Sequence, residues 1–504
     1  MQRPITISIL HAAMHGALLT LALALATGAF AEVPRLPTAV AVPDSGKPPL
    51  SSATYQGTEY SDLKAHGYLE QEFYLQGVAP AITAAGQTLL EAPYTTRMLV
   101  RKPADPARFN GTVIIEPFSW FGERAAGWIL TRDYLLRHGY AYVGYTLNIN
   151  KPEVDPKFIA ADPAVEADGI AQYGKIVNFD FMRRFDYARY APLGSYYDAR
   201  RFTRGDAPDP FVPQSQGIGA QLALLLKSAT PGGPLAGLDV KRVYVNSWAV
   251  TAQVWMDYLD QGRHQQWRMP DGKPLIDAYM TGRMAYGEVG GDVIRVPRRM
   301  PGDAPFVTVY SQSELMHDVL EGIALPADTD TPKLRYYEVT GMPHLRLADL
   351  GTQHSERLAV DVGKGNDPRC QTLYDEPAEL VIAALLDGMD RWVRDGTSMP
   401  KAPRVPRQGN RALRDADTGN LVGGVRPPWI QAPSATYLTD QETACGLIYD
   451  TKLAYSRAEL RKRYGSYAQY QKAFEDAKAR SVREGYLLPE DAKGLHPIAK
   501  PQDF

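Results

Sequence analysis

The segment between residues 112 and 143 constrains the fold most strongly, because it combines two short apolar stretches with one helical stretch. Residues 112–115 are rich in β-branched side chains, which is typical of a strand buried on both faces. Residues 123–137 have a helical pattern that stops before Gly139, and residues 141–143 predict the next strand. A strand, a helix and a strand in this order predict a βαβ crossover. We therefore expect an α/β fold with a mostly parallel central sheet and helices on both faces.

Three further predicted strands are each followed by a side chain with catalytic chemistry. These strands lie at residues 243–245, 306–310 and 335–339. Ser247 follows the first strand and precedes a predicted helix at residues 248–259, Glu314 follows the second strand, and His344 follows the third. Because ligands of open α/β sheets meet the carboxyl ends of the strands, we expect these three side chains to approach one another.

The chain order serine, acid, histidine is the order of an α/β-hydrolase catalytic triad. A serine hydroxyl is too weakly acidic to attack an ester unaided. Ser247 therefore needs His344 to accept its proton and Glu314 to fix the tautomer of the imidazole. The backbone N–H of Trp248, which follows the serine, is the first expected oxyanion donor. If Glu314 is not the acid, Asp318 is the next candidate, one helical turn further on.

Several segments outside this triad are distinctive in sequence. They are residues 92–97 (APYTTR), 109–116 (FNGTVIIE), 390–396 (DRWVRDG), 419–426 (GNLVGGVR) and 485–491 (GYLLPED). On these segments the chain resembles, from about Gly67 to Ala492, a poorly characterised bacterial family of exported proteins with an α/β-hydrolase domain. The resemblance implies an α/β-hydrolase fold and esterase-like activity.

The resemblance also implies site residues. The family carries a G-x-S-Q-S-A motif at its nucleophile, and Ser247 is matched to the serine, with Val245 in place of the first glycine and Trp248 in place of the glutamine. The acid segment T-E-T-D is similar to S-Q-S-E, which ends at Glu314. The segment A-G-T-x-H is similar to T-G-M-P-H, which ends at His344.

The second oxyanion donor is expected in the loop after the strand at residues 112–115. This loop is N-V-x-G-G in the family and F-S-W-F-G here, so the backbone N–H of Phe118 or Ser119 is the candidate. The predicted function is hydrolysis of a carboxylic ester through an acyl-enzyme, with no cofactor.

Two other functions fit the same residues. Val245 and the changed oxyanion loop are compatible with a non-catalytic binding protein on a decayed hydrolase fold. An acyltransferase would use the same triad with an alcohol in place of water. Covalent labelling by a fluorophosphonate separates the first alternative from the enzymes, and product analysis with added alcohols separates the second.

Residues 32–504 are predicted to form one α/β-hydrolase domain. Residues 150–237 and 263–300 depart from the strand and helix pattern and predict cap or loop insertions. Residues 400–504 predict a C-terminal helical extension packed on the hydrolase core. Within it, Ser456 and Glu459 have the spacing of a capping box at the start of a helix.

Residues 1–31 have the parts of a secretory signal peptide. Arg3 gives a weakly positive start, residues 17–26 form an uncharged h-region, and the A-F-A ending at Ala31 fits a cleavage site. A membrane anchor is the alternative, but the uninterrupted run is shorter than the ~20 apolar residues that a span needs. We therefore expect an exported protein, periplasmic or secreted, with no membrane attachment after cleavage.

Export would place the two cysteines of the chain in an oxidising compartment. Cys370 and Cys445 are the only cysteines in the sequence, and an oxidising compartment would allow them to form a disulfide. The alternative is two separate buried thiols.

Composition excludes several partners and cofactors. Lys and Arg total 55 and Asp and Glu total 57, and the resulting formal net charge of −2 offers no basic surface for nucleic acid. His264, His317 and His354 are not spaced as metal ligands, and two cysteines cannot form a Cys-rich metal module. The expected partner is a small-molecule ester, no metal or cofactor is expected, and the oligomeric state is left open.

Export is testable by mass. Cleavage after Ala31 should give a mature chain that begins at Glu32, because the small-x-small pattern ends there. Intact-mass measurement of exported material checks this. Recovery of the full-length chain in a membrane fraction would contradict it.

Overall fold

A computed structural model gives the fold. It describes residues 32–46, 48–50, 62–83, 85–118, 125–147, 178–196, 203–204, 207–208, 213–228, 230–282, 287–289, 292–294, 296–320, 330–344, 346, 376–439, 442–443 and 450–504. The predicted signal peptide, Ser119, Cys370 and Cys445 lie outside the described residues. Export, the disulfide and this oxyanion donor therefore stay predictions.

Nine strands form one sheet. They are β1 (Thr38–Ala41), β2 (Tyr68–Ile82), β3 (Thr88–Pro103), β4 (Thr112–Phe118), β5 (Ala141–Thr146), β6 (Arg242–Trp248), β7 (Ala278–Gly282), β8 (Phe306–Ser311) and β9 (Leu334–Val339). Their order across the sheet is β1-β2-β3-β5-β4-β6-β7-β8-β9. The strands from β5 to β9 in this order pair in parallel, whereas β1, β2 and β3 add antiparallel pairs at one side. The prediction of a mostly parallel sheet is confirmed.

The helices in the described part of the chain are α1 (Ala126–Arg137), α2 (Asn178–Phe185), α3 (Tyr187–Tyr190), α4 (Ser215–Lys227), α5 (Ala252–Asp260), α6 (Arg263–Gln266), α7 (Gln312–Leu320), α8 (Glu379–Asp395), α9 (Pro428–Gln431), α10 (Arg457–Tyr464), α11 (Tyr467–Glu484) and α12 (Pro489–Gly494). Short 3₁₀ helices lie at Pro106–Arg108, Ala249–Thr251 and Pro501–Asp503. Two-stranded pairs join Thr203–Arg204 with Ala207–Pro208, Gly287–Val289 with Asp292–Ile294, and Ala435–Leu438 with Thr451–Ala454.

Helices cover both faces of the sheet. Ile114 of β4 and Tyr244 of β6 belong to the apolar cluster that contains α1 and α8, whereas their strand neighbours Ile115 and Val245 belong to the cluster that contains α4 and α5. Because successive strand residues point to opposite faces, these clusters are the two sides of one sheet. The predicted helical layers on both faces are confirmed.

The described parts of the predicted insertion and extension pack on this core. α4, which lies inside the predicted insertion at residues 150–237, contacts the sheet through apolar residues such as Ile218 and Leu222 and is buried almost all round. From residue 400 onward, Trp429, Tyr470 and Phe474 join the cluster of α1 and α8. The capping box at the start of α10 is present as predicted. No helix of the described residues is long and apolar enough to span a membrane.

A buried carboxylate joins β4 to α1. Glu116 accepts hydrogen bonds from the backbone N–H groups of Gly127 and Trp128, at 2.6 and 2.8 Å, and from the Tyr142 hydroxyl at 2.7 Å. It thereby supplies acceptors to the first turn of α1, whose N–H groups have no partner within the helix. A Cβ at Gly127 would lie 2.7 Å from Asn246 Nδ2, so only glycine permits this close approach of α1 to the sheet.

Glu116 makes stability depend on pH. Burial raises the pKa of Glu116 to about 7, although its hydrogen bonds oppose the rise. The folded state therefore binds more protons than the unfolded state between pH 4.5 and 7. As the pH rises from 4.5 to 7, the free energy of unfolding should fall by about 3 kcal/mol at most because of this group. Glu116→Gln should remove this component, as urea unfolding at the two pH values would show. Glu475→Gln is the control, because the Glu475 side chain is half-exposed, and this variant should keep the wild-type difference between the two pH values. Equal pH dependence in wild type and Glu116→Gln would contradict the assignment.

Candidate active site

The three predicted triad residues all lie toward the carboxyl ends of parallel strands in one sheet. Ser247 is the second-last residue of β6, Glu314 lies in the first turn of α7 directly after β8, and His344 lies in the loop that follows β9. The order β6-β7-β8-β9 places all three along one edge of the sheet. Their contacts nevertheless divide them into a pair and a separate serine.

Glu314 and His344 form the pair. Glu314 Oε1 contacts His344 Nδ1 in a short hydrogen bond. The other carboxylate oxygen accepts from the backbone N–H of Ser311 at 2.9 Å and from the Ser311 hydroxyl. The side chain of Glu314 is 2% exposed and that of His344 is 12% exposed. The carboxylate is therefore fixed in position and shielded from water, while the imidazole keeps access to a ligand.

The C-terminal extension helps to hold the His344 loop. The backbone N–H of His344 lies 2.9 Å from Ser313 Oγ and 3.0 Å from Asp450 Oδ2, and the Ser313 hydroxyl donates to the same Asp450 oxygen. The indole N–H of Trp429 donates to the carbonyl of Gly341 at 3.0 Å, earlier in that loop. No local sequence motif marks Asp450 or Trp429, so neither residue was predicted.

Ser247 is engaged elsewhere. It is fully buried, and its hydroxyl lies 3.2 Å from the Thr251 hydroxyl, which itself donates to the carbonyl of Trp248 at 2.8 Å. Because Thr251 has one hydroxyl proton, Ser247 is the donor to Thr251. Among the hydrogen bonds of the described residues, none joins Ser247 to His344. The structure therefore brings Glu314 and His344 together and leaves Ser247 outside their contact.

The turn from β6 to α5 lies later in the chain than the sequence pattern predicts. The predicted strand ended at Val245, but β6 continues through Trp248, and a 3₁₀ turn at Ala249–Thr251 then leads into α5. Ala249 has φ +55°, and within the described residues it is the one non-glycine residue with a positive φ. With the turn at Ala249, the motif G-x-S-Q-S-A is matched two residues later by S-W-A-V-T-A, in which Ser247 stands for glycine and Ala249 for serine.

The expected oxyanion donors lie at two strand ends. Trp248 is the last residue of β6, and its indole N–H donates to Asn246 Oδ1 at 2.5 Å. Its ring occupies the space beside Gly282, where a Cβ would lie 2.2 Å from the indole. Phe118 is the last residue of β4 and is fully buried. Their roles as oxyanion donors stay predictions.

A sheet of this order, with an acid–histidine pair at its carboxyl edge, defines an α/β hydrolase by fold. The family model described as alpha/beta hydrolase domain matches residues 39–497, and the chain belongs to this family. The resemblance found in the sequence is thereby confirmed. No curated protein sequence matches the chain. Among the described residues, no group of three His, Cys, Asp or Glu side chains could hold a metal ion.

Solved structures give weaker likenesses. A bacterial heroin esterase is 10% identical, covering 60% of this chain and 84% of its own, with a TM-score of 0.28. The esterase Est22 with p-nitrophenol is 9% identical, and the match covers 58% of this chain and 78% of the Est22 chain, with a TM-score of 0.28. Esterase B from Lactobacillus rhamnosis is 11% identical, and the match covers 55% of this chain and 79% of the esterase B chain, with a TM-score of 0.25. The assignment rests on the family match and the sheet.

Asp450 should matter for stability. Asp450→Ala removes the carboxylate to which the buried Ser313 hydroxyl donates, so we expect the free energy of unfolding to fall by roughly 1–3 kcal/mol. Asp476→Ala is the control, because its ion pair with Lys472 is exposed and should contribute less than about 0.5 kcal/mol. Urea unfolding compares the two variants, and equal small effects would contradict a structural role for Asp450.

Proposed function

We propose that the protein hydrolyses carboxylic esters, with His344 as the general base and Glu314 as the carboxylate that orients it. The contact between Glu314 Oε1 and His344 Nδ1 is the observation that carries this proposal. A carboxylate that accepts a hydrogen bond from the imidazole Nδ1–H leaves Nε2 of the same ring free to accept a proton. The carboxylate also stabilises the imidazolium that then forms. Membership of the α/β-hydrolase family supports the reaction class.

The base has two candidate nucleophiles to activate. The first is the Ser247 hydroxyl, which would form an acyl-enzyme, and this route requires the hydroxyl to leave Thr251 and turn toward His344. The second is a water molecule, which would attack the ester carbonyl carbon as His344 takes its proton. His344 then returns the proton to the departing alkoxide, and a carboxylic acid and an alcohol are released.

A non-catalytic binding protein is the second candidate function. The observation that favours it is Ala249, which presents a methyl group at the turn where a hydrolase of this fold carries its nucleophile. In that case the site would bind an ester or a carboxylic acid without turning it over. The Glu314–His344 pair would then hold the polar end of that ligand by hydrogen bonding.

Substitution of the base tests the proposal. His344→Gln should lower kcat/KM for p-nitrophenyl esters by roughly 10²–10⁴-fold, which is the contribution of a positioned general base. Glu314→Gln should also lower kcat/KM for these esters. The matched control is His138→Gln, on the half-exposed His138 at the end of α1, which should keep wild-type activity. Thermal unfolding shows that each variant is folded.

Two outcomes would oppose this function. Unchanged hydrolysis by folded His344→Gln would remove His344 from the mechanism. A wild type that hydrolyses no member of an ester panel from acetates to long acyl chains, yet binds such an ester in calorimetry, would establish the binding protein instead.

A further inference from the structure

We propose that Ala249, not Ser247, occupies the nucleophile position of this fold, so that His344 activates water and no acyl-enzyme forms. This inference rests on the proposed hydrolytic function, since it specifies the nucleophile of that reaction. Four features of the β6–α5 connection support it: the end of the strand, the backbone angle at the turn, the face to which Ser247 points, and the exposure of the two residues.

The end of β6 is set by its pairing. Ser247 pairs with Thr281 and Trp248 with Gly282 of β7, so both residues are still part of the sheet. The 3₁₀ turn begins one residue later, at Ala249. A nucleophile in an α/β hydrolase sits on the sharp turn between strand and helix, where the side chain projects beyond the sheet edge. Ala249 meets this condition, whereas Ser247 lies two residues before it.

The backbone at Ala249 carries the strain expected of such a turn. Its φ of +55° lies in the left-handed region, which L-residues other than glycine rarely adopt because Cβ crowds the carbonyl oxygen. Such angles persist where the surrounding structure imposes them, and they cluster at active sites. Here β6 and α5 impose the angle, because both are packed against the core on either side of the turn.

Strand alternation directs Ser247 away from the edge. Trp248 and Asn246 contact each other, and the Trp248 ring belongs to the cluster of α1 and α8. Val245 belongs to the opposite cluster, with α4 and α5. Ser247 therefore points to the α5 side, where its hydroxyl donates to Thr251 just before α5 begins.

Exposure distinguishes the two residues in the same way. Ser247 is 0% exposed, while Ala249 is partly exposed although its side chain is smaller. A nucleophile must be reached by the carbonyl carbon of the substrate. Ala249 satisfies this condition and lacks the hydroxyl, which leaves water as the group that the Glu314–His344 pair can deprotonate.

The reaction proceeds without a covalent bond between the protein and the substrate. The water oxygen bonds to the ester carbonyl carbon while His344 accepts a water proton, giving a tetrahedral oxyanion and an imidazolium. The carbon–alkoxide bond then breaks, and the alkoxide takes the proton from the imidazolium. An acid and an alcohol leave, and the protein returns to its starting state.

Installing the hydroxyl tests the position. A fluorophosphonate is added to the full-length wild type and to three variants, and labelling is followed by intact mass. The variants are Ala249→Ser, Ala249→Ser/Ser247→Ala and Ala249→Ser/His344→Gln. We expect no labelling of the wild type, stoichiometric labelling of Ala249→Ser and of its Ser247→Ala derivative, and a rate lower by roughly 100-fold or more without His344. Ala249→Ser and Ala249→Ser/Ser247→Ala should each give a burst of p-nitrophenol with p-nitrophenyl acetate, whereas the wild type should give none.

A stability comparison keeps the proposal testable if Ala249→Ser fails to fold. Because φ at Ala249 is positive, Ala249→Gly should leave the unfolding midpoint unchanged or raise it. The control Ala252→Gly, in the first turn of α5, should lower the midpoint, since glycine there only weakens a helix.

The outcomes separate this inference from the hydrolytic function. A fluorophosphonate adduct mapped to Ser247 in the wild type, a folded Ala249→Ser that is not labelled, or a lowered midpoint for Ala249→Gly would overturn the assignment of Ala249. Labelling of Ala249→Ser together with an inactive wild type would uphold the assignment and refute ester hydrolysis by the natural chain.

Discussion

Burial of the central parallel strands on both faces is the constraint on which the rest of the structure depends. Every residue of β4 and β5, and nearly every residue of β6, is buried, so each polar side chain on them needs a partner inside the protein. Glu116 finds its partners in α1, Asn246 in the Trp248 indole, and Ser247 in Thr251. A polar residue near a strand end can therefore have a structural role, stabilising the sheet through internal hydrogen bonds, rather than a role in substrate binding or catalysis.

Much of the fold was predictable from the sequence, for physical reasons. The β-branched run of β4, the helical pattern of α1 and the glycine between α1 and β5 each express local preferences that agree with burial on both faces. Strand lengths were less predictable. β6 continues beyond Val245 because neighbouring groups satisfy the polar groups of Asn246 and Ser247. A pattern of apolar residues does not reveal these hydrogen bonds.

The candidate site was predictable in part. Glu314 and His344 were proposed from their order after successive strands, and the structure places them in contact because adjacent parallel strands end at the same edge. The turn residue was missed, because the motif fits the sequence in two alignments, and the end of β6 and the backbone angle at Ala249, which separate them, are visible only in the structure. Asp450 was missed because 106 residues separate it from His344.

That separation has a consequence for the order in which the protein acquires its site during synthesis. Glu314 and His344 leave the ribosome well before Asp450, and at 5–20 residues per second the delay after His344 is roughly 5–20 s. The sheet strands are complete by then, since β9 ends at Val339. A chain released early, after the sheet but before Asp450, would contain every strand of the large sheet and still lack an anchor for its histidine loop. Premature termination would thus impair the site before it removes the sheet.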